Sequence, residues 1–367
     1  MRTIRRKRGK RQKQILILGT LALFSILTVG YAAFQTNIAL TAKGNVHPTA
    51  TYTVEQLKET AVTTGDGLYT DPDETGRYVF KGANPNNYLT LNNETWRIMS
   101  IESDNTLKII REDSLGNIVW DPGKDTTISG ITTNGSLDGT RYSSASTDYC
   151  SSQEGCNVWG NKNTMLDSSG NNVTAIRAYT GSSTTYNLPN DEAYVNIYLN
   201  GGTYAGVAVT GWYQTWSSNL DSNIESYIED EHLYNVGLIS QTSGQLTATD
   251  LAQEKNYKWK GRVGLMTASE YVRASTNSEC TGAYAYYNNS ACYNDGASHN
   301  YLRKTTRIGT ITGTAGYRYW SFSASSTSAS FGFVTKSSFG IRPVLYLSSD
   351  TVLKGDGTSS SKFQIKV

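Results

Sequence analysis

Twenty residues, Ile15 to Phe34 (ILILGTLALFSILTVGYAAF), carry no charge, and eight basic residues crowd between Arg2 and Lys13 just ahead of them. At 1.5 Å rise per residue such a run makes a helix of about 30 Å, the thickness of a bilayer's hydrocarbon core. A basic cluster before an apolar helix stays on the cytoplasmic side. The expected layout is a basic cytoplasmic tail at 1–14, a transmembrane helix or signal segment at 15–34, a strand or linker at 35–50, and an extracellular domain at 51–367. Cleavage is the alternative. Gly30 and Ala32 sit three and one residues before a cut near Ala32, which would release the remainder as a secreted protein. The run is longer than the roughly 7 to 15 apolar residues of a secretory signal, so a single-pass anchor is the leading expectation.

Of the 33 Lys and Arg, eight lie in that tail, leaving 25 against 31 Asp and Glu, a net charge of −6 for the rest of the chain. The basic balance of the whole chain is therefore a topology signal, and no nucleic-acid partner is expected. Charged residues are only 17% of the chain, and 25 Tyr with many Gly, Ser, Thr and Asn take their place. Thr and Tyr suit pleated surfaces, and Asn and Gly suit tight turns. The reading is a β-rich α+β domain of roughly 300 residues, long enough for one large core.

Four cysteines, Cys150, Cys156, Cys280 and Cys292, all fall on the exported side, where disulfides persist. Three pairings are open, and proximity favours Cys150–Cys156 with Cys280–Cys292. A zinc site would need tighter spacing or nearby histidines, and the chain has only His47, His232 and His299.

Thr53-Val54-Glu55-Gln56 is a capping box, predicting a short helix through Val62 with Leu57 and Ala61 on one face. Residues 63–77 are turn-rich. YLTL (88–91), ETWRIMSIE (94–102) and TLKIIRE (106–112), separated by Asn92-Asn93 and Ser103-Asp104-Asn105, read as a three-stranded meander. Residues 121–185 read as a long, weakly regular insertion tied by the first disulfide. Helices are predicted at Asp191–Leu199 and Asn219–Asp230, and strands at 234–240 and 262–266. A second capped turn follows at Thr267-Ala268-Ser269-Glu270, and terminal strands contain YRYWSFS, FGFVTK, FGIRPVLYLS and KFQIKV.

Several of these motifs carry a resemblance. In order they are Asn93-Glu94-Thr95-Trp96-Arg97-Ile98, Tyr198-Leu199-Asn200, Leu265-Met266-Thr267-Ala268-Ser269-Glu270-Tyr271, Trp320-Ser321 and Gly340-Ile341-Arg342-Pro343-Val344-Leu345. The series, spanning roughly residues 80–350, resembles a bacterial surface-domain family of unknown function that is related to C-type-lectin-like and formylglycine-generating-enzyme-type folds. It departs from that family at Tyr301-Leu302-Arg303 and in the size of the insertion. The resemblance implies a C-type-lectin-like binding scaffold and names no ligand. Formylglycine-type activity depends on a particular cysteine arrangement, whereas the four cysteines here read as two structural staples. The N-terminal segment, with Tyr31-Ala32-Ala33-Phe34 followed by QTNIALTAKGNV, resembles SipW-type signal regions of Gram-positive surface and biofilm-matrix proteins.

No catalytic motif stands out. The candidate recognition surface is the loop CTGAYAYYNNSAC with Tyr284, Tyr286, Tyr287 and the following Tyr293. Tyr gives contact area at small entropy cost among adaptable Asn and Ser. Trp96, Trp320 and Arg342 are expected as structural core, with Arg97, Phe322, Phe331, Phe333 and Phe339 alongside. Asp71, Asp73 and Glu74, in a turn with Gly76, are a weak calcium candidate that lacks the EF-hand pattern. Glu229-Asp230-Glu231-His232 reads as a solvated acidic surface. The function expected is non-catalytic binding or adhesion at the cell surface, to a glycan or protein. The alternatives are a structural subunit of an extracellular matrix or fibre released by signal cleavage, and, last, a surface hydrolase.

Overall fold

The computed structural model describes residues 50–122, 127–128, 131–132, 150–151, 155–177, 185–239, 252–280, 299–314, 318–322, 330–334 and 338–367. The apolar segment 15–34, the alternating residues 35–49 and the Tyr284–Tyr293 loop lie outside them. Among the described residues no helix is long and apolar enough to cross a membrane. Thr51–Val367 form one unit, and it is β-rich with short helices.

Along the chain, the elements that frame the site begin with helix α1 (Val54–Lys58) and strands β1 (Gly67–Thr70), β2 (Tyr78–Lys81), β3 (Tyr88–Leu91), β4 (Glu94–Ile101), β5 (Leu107–Arg111), β6 (Asn117–Val119) and β7 (Met165–Asp167). Helices α2 (Tyr194–Asn200) and α3 (Trp212–Ser217) follow, then β8 (His232–Asn235), β9 (Tyr257–Gly261) and α4 (Ala268–Arg273). The chain closes with β10 (Ile308–Thr314), β11 (Arg318–Phe322), β12 (Ser330–Val334), β13 (Ser338–Gly340) and β14 (Val344–Leu347). One sheet runs β1-β2-β4-β5-β14, with β3 also paired to β4; a second runs β12-β11-β10-β13-β6; a third, smaller one runs β7-β9-β8.

The meander forms because its turns suit its residues. Asn92 and Asn93 take positive φ of 50° and 58°, as a two-residue hairpin turn of matching twist requires, and Asn105 turns at φ 71°. Cross-strand register then sorts the two faces of the first sheet. Trp96, Ile98, Ile101, Leu107 and Ile109 share one face and are fully buried. The opposite face carries Arg97, Ser100 and Lys108, with Tyr346 placed against Lys108 by β14. These are buried too, so the sheet is covered on both sides and one cover meets charges.

Tryptophans fill the core. Trp96 packs on Trp216 with ring centroids 5.5 Å apart, Trp120 stacks on Tyr319 at 4.7 Å, and Trp159 bridges Trp120 and Trp259 at 5.5 and 5.8 Å. Trp320, Phe322 and Arg342 are buried, and Phe339 is half-buried.

Several expectations need correcting. The helix after Thr53 stops at Lys58, and Ala61 is exposed. The predicted helix at Asn219–Asp230 shrinks to Ser222–Glu225, capped by Asp221 rather than Asn219, because Leu220, Ile224 and Tyr227 reach the core without a longer helix. Helix α2 starts at Tyr194, three residues later than predicted. The strand expected at 262–266 lies at β9 instead; of that stretch, Gly264 makes an isolated bridge to Val344. The insertion is not uniformly irregular. Cys156, Val158, Trp159 and Met165 are buried, and β7 is an edge of the third sheet.

Candidate functional site

Six separate segments converge on a polar pocket of about 160 Å³, among them β14, which gives Tyr346. The turn before β2 gives Glu74 and Arg77; the β4–β5 turn and β5 give Glu102, Asp104 and Lys108; β8 gives His232, Leu233 and Asn235. Lys255 and Lys258 come from the approach to β9 and from β9 itself, and Thr267, Ser269 and Glu270 from the start of α4. Helix α4 is held by its capping box, in which Thr267 Oγ1 accepts from Glu270 N–H while the Glu270 carboxylate accepts from Thr267 N–H at 2.8 Å.

The floor is an ion-pair network. Arg77 donates to Asp71 at 2.6 Å and to Glu102 at 3.0 Å, and lies 3.7 Å from Glu270. Lys108 pairs with Glu270, its ammonium 5.2 Å from the Tyr346 ring centre and 5.5 Å from that of Tyr234. Burial alone would push the Glu102 carboxyl up. The charges of Arg77 and Lys108, with hydrogen bonds from Ser100 and Arg77, outweigh it and hold the group down at about 2. Burial pushes the phenols of Tyr234 and Tyr346 well up.

One wall is His232, stacked on Tyr346 with centroids 3.5 Å apart and planes 6° apart. Its Nδ1 lies 2.9 Å from the Leu233 nitrogen and 3.3 Å from the Leu233 carbonyl oxygen, and its Nε2 faces Thr106 Oγ1 at 3.2 Å and Asp104 at 3.5 Å. At the rim Lys255 pairs with Glu74 at 3.2 Å. Half-buried Lys258 and Asn235 also line the pocket, and among the described residues their side chains have no ion-pair or hydrogen-bond partner.

The predicted calcium candidates sit at the edge of this network. Asp71 contacts Arg77 and lies 3.2 Å from Arg273, Asp73 pairs with Arg273, and Glu74 pairs with Lys255. Each carboxylate already faces a cation. Among the described residues no three His, Cys, Asp or Glu gather as a metal-holding group. In the Glu229–His232 stretch, Asp230 pairs with Arg262 and Glu231 lies 2.5 Å from Lys260 on an open, exposed groove, while His232 turns into the pocket.

Glu254 lies behind the pocket and does not line it. Its carboxylate accepts from the Ala268 and Ser269 N–H groups and from Thr312 Oγ1. Cys156 and Cys280 each take part in a disulfide, and Cys150 stands directly opposite Cys156 in a two-stranded ladder. Cys292 and the loop tyrosines Tyr284, Tyr286, Tyr287 and Tyr293 lie outside the described residues.

Sequence reading missed Arg77, Glu102 and Lys108 as site residues and took Glu270 only as a cap. The signal was Lys108 itself, a lysine inside the apolar run Leu107-Lys108-Ile109-Ile110. A charge in a strand covered on both faces needs a buried partner. Compared with known proteins, the chain matches no family model, no curated protein and no solved structure.

Proposed function

We propose that this chain is a membrane-anchored extracellular binding protein that recognises a polar group of a glycan or protein without catalysis, through a domain of C-type-lectin-like tendency. The anchor rests on the basic tail and the apolar run at 15–34. Recognition rests on one observation: the carboxylates that line the pocket are engaged by cations or hydrogen bonds, and Glu102 is held ionised at about 2.

A hydrolytic acid pair needs one carboxyl kept protonated near neutrality beside a second that is free to act. The carboxyl raised to about 7 is that of Glu254, which is buried and occupied by the start of α4 and Thr312. Substrate in the pocket does not reach it. The residues that line the pocket instead offer fixed donors and acceptors to something that binds and leaves unchanged.

The test displays the full chain on cells and measures attachment to a glycan and protein panel, against an Asn235→Ala/Lys255→Ala variant. Lys255 and Glu74 form an exposed pair worth at most about 1 kcal/mol, so melting should barely move. Attachment should fall. Unchanged attachment with unchanged melting would remove the pocket as the binding site, and turnover of any panel member would remove the non-catalytic reading.

A further inference from the structure

The pocket has a chemical preference written in which of its charges are spent. Glu74 faces Lys255, Glu102 faces Arg77, Glu270 faces Lys108, and Asp104 accepts from the Thr106 hydroxyl and backbone and approaches His232. Among the lining cations the pattern breaks once. Arg77, Lys108 and Lys255 have carboxylate partners, whereas half-buried Lys258 has none among the described residues.

Lys258 is positioned rather than loose at its base. It sits in the middle strand of the third sheet, opposite Leu166 on one side and Asn235 on the other. Asn235, its cross-strand neighbour, also lines the pocket, and its side chain likewise has no partner among the described residues. Cross-strand neighbours have Cβ atoms about 4.5–5.5 Å apart. Lys258 and Asn235 therefore share one face of the sheet, and both line a chamber of about 160 Å³, room for roughly five waters.

Resting on the binding reading above, we infer that this site takes an acidic group, a carboxylate or phosphate carried on a sugar or polyol, with the acid on Lys258 and a neighbouring hydroxyl on Asn235. A neutral sugar would leave the ammonium unmatched. A cationic ligand would meet three carboxylates that already face a cation, and a fourth, Asp104, that is engaged by Thr106 and lies 3.5 Å from His232. The chamber has room for about one sugar residue or one polyol phosphate.

The experiment uses the full chain in detergent micelles and four probes: glucuronate, glycerol phosphate, inorganic phosphate and glucose. Binding is followed by ligand-observed NMR and calorimetry, with Lys258→Met, Lys258→Arg and Asn235→Ala variants and a melting curve for each. An acidic probe should bind at least about tenfold more tightly than glucose, the scale of one charge-assisted hydrogen bond. Its affinity should drop about tenfold in Lys258→Met, recover largely in Lys258→Arg and weaken with added salt. Glucuronate ahead of glycerol phosphate would make the acid a uronate, and the reverse order a polyol phosphate. Inorganic phosphate binding as tightly as glycerol phosphate would show that the polyol adds nothing and would overturn the polyol half of the inference. Glucose binding as tightly as the acids, with Asn235→Ala weakening both, would leave the pocket a binding site and sink the acidic preference. Binding of no probe by a well-folded chain would sink both.

Discussion

Glu254 accepts a 2.6 Å hydrogen bond from the hydroxyl of Thr312 in the protein interior, and among the described residues no cation pairs with its carboxylate. The same carboxylate holds the first N–H groups of α4, so one side chain ties α4 to β10. Burial is the main reason its carboxyl rises from 4.5 to about 7; the hydrogen bonds from Ser269 and Thr312 oppose the rise and the charge of Glu270 adds to it. The folded value lies above the unfolded one. The group's stabilising contribution is thus full below about pH 4.5 and is lost as pH rises through about 7. The shift corresponds to something on the order of 3 kcal/mol. Melting temperature should decline from about pH 5 to about pH 8 in the native chain, and Glu254→Gln should flatten that slope. Parallel slopes for the two proteins would assign the pH dependence to another group.

A second buried ionic site makes a sharper mutational claim. Glu112 lies 3.3 Å from Arg342 and 3.8 Å from Arg97, and it also pairs with Lys304. Both arginines are buried, and burial lowers the Arg342 guanidinium to about 10 against the opposing pull of Glu112. Arg97 is further held by Asn87 at 2.5 Å and lies 3.6 Å from the Tyr88 ring centre. Removing one carboxylate leaves buried positive charge uncompensated. Glu112→Ala should cost about 3–5 kcal/mol in denaturant titration, and a loss below about 1 kcal/mol would show that water reaches this cluster.

Trp96 is fully buried against Trp212 and Trp216, and its indole nitrogen has no hydrogen-bond partner among the described residues. Trp96→Ala should cost about 3–5 kcal/mol by opening a cavity. Trp96→Phe keeps most of the packing and removes an unsatisfied donor, so it should cost clearly less. Equal losses in the two variants would mean that the indole edge itself holds the site together.

What the sequence disclosed of this fold was local. The Asn92-Asn93 turn, the three strands it organises and the capping boxes at Thr53 and Thr267 depend on neighbours within a few residues, and they stand where the residues put them. Strand β10 was missed because IGTITGT reads as a polar loop. Its seven residues are nonetheless all buried. Thr310 hydrogen-bonds the Trp320 carbonyl, Thr312 bonds Glu254, and Gly313 lets Asn157 and Leu238 approach where a side chain would clash. Helix α3 was missed because WYQTWS carries the aromatics of a strand, yet Trp212 and Trp216 stack on one another at 5.3 Å, as residues four apart on a helix can. The pocket was illegible for a related reason. Its cations and carboxylates come from turns, strands and a helix up to 196 residues apart in the chain, Glu74 to Glu270, and no local pattern joins them.

The cysteine ladder gives a direct chemical prediction. Cys150 and Cys156 are Cα partners in an antiparallel pair, and Cys156 is in a disulfide. Peptide mapping without reduction should find Cys150 joined to Cys156, leaving Cys280 to Cys292. A Cys156–Cys280 crosslink would reverse both assignments. Cys156→Ser should lower stability by roughly 2–3 kcal/mol, the scale for closing a short loop.

The tyrosine loop and the polar pocket are two candidate recognition surfaces, and they answer to different variants. Between Cys280 and Cys292 the chain carries Tyr284, Tyr286 and Tyr287 among small and polar residues, a composition that gives contact area without a core to pack. If these tyrosines are anchors, Tyr286→Ser/Tyr287→Ser should leave melting within about 0.5 kcal/mol of native and weaken attachment by at least about 1 kcal/mol per anchor. Lys258→Met acts on the pocket through charge, so its effect should shrink with salt, whereas loss of tyrosine contact area should not. Combining the variants decides whether the surfaces cooperate. Additive losses would describe one ligand touching both independently, as separated sites do. A loss confined to Lys258→Met would leave the loop as a disulfide-tied surface feature, and a loss confined to the tyrosines would move recognition away from the pocket.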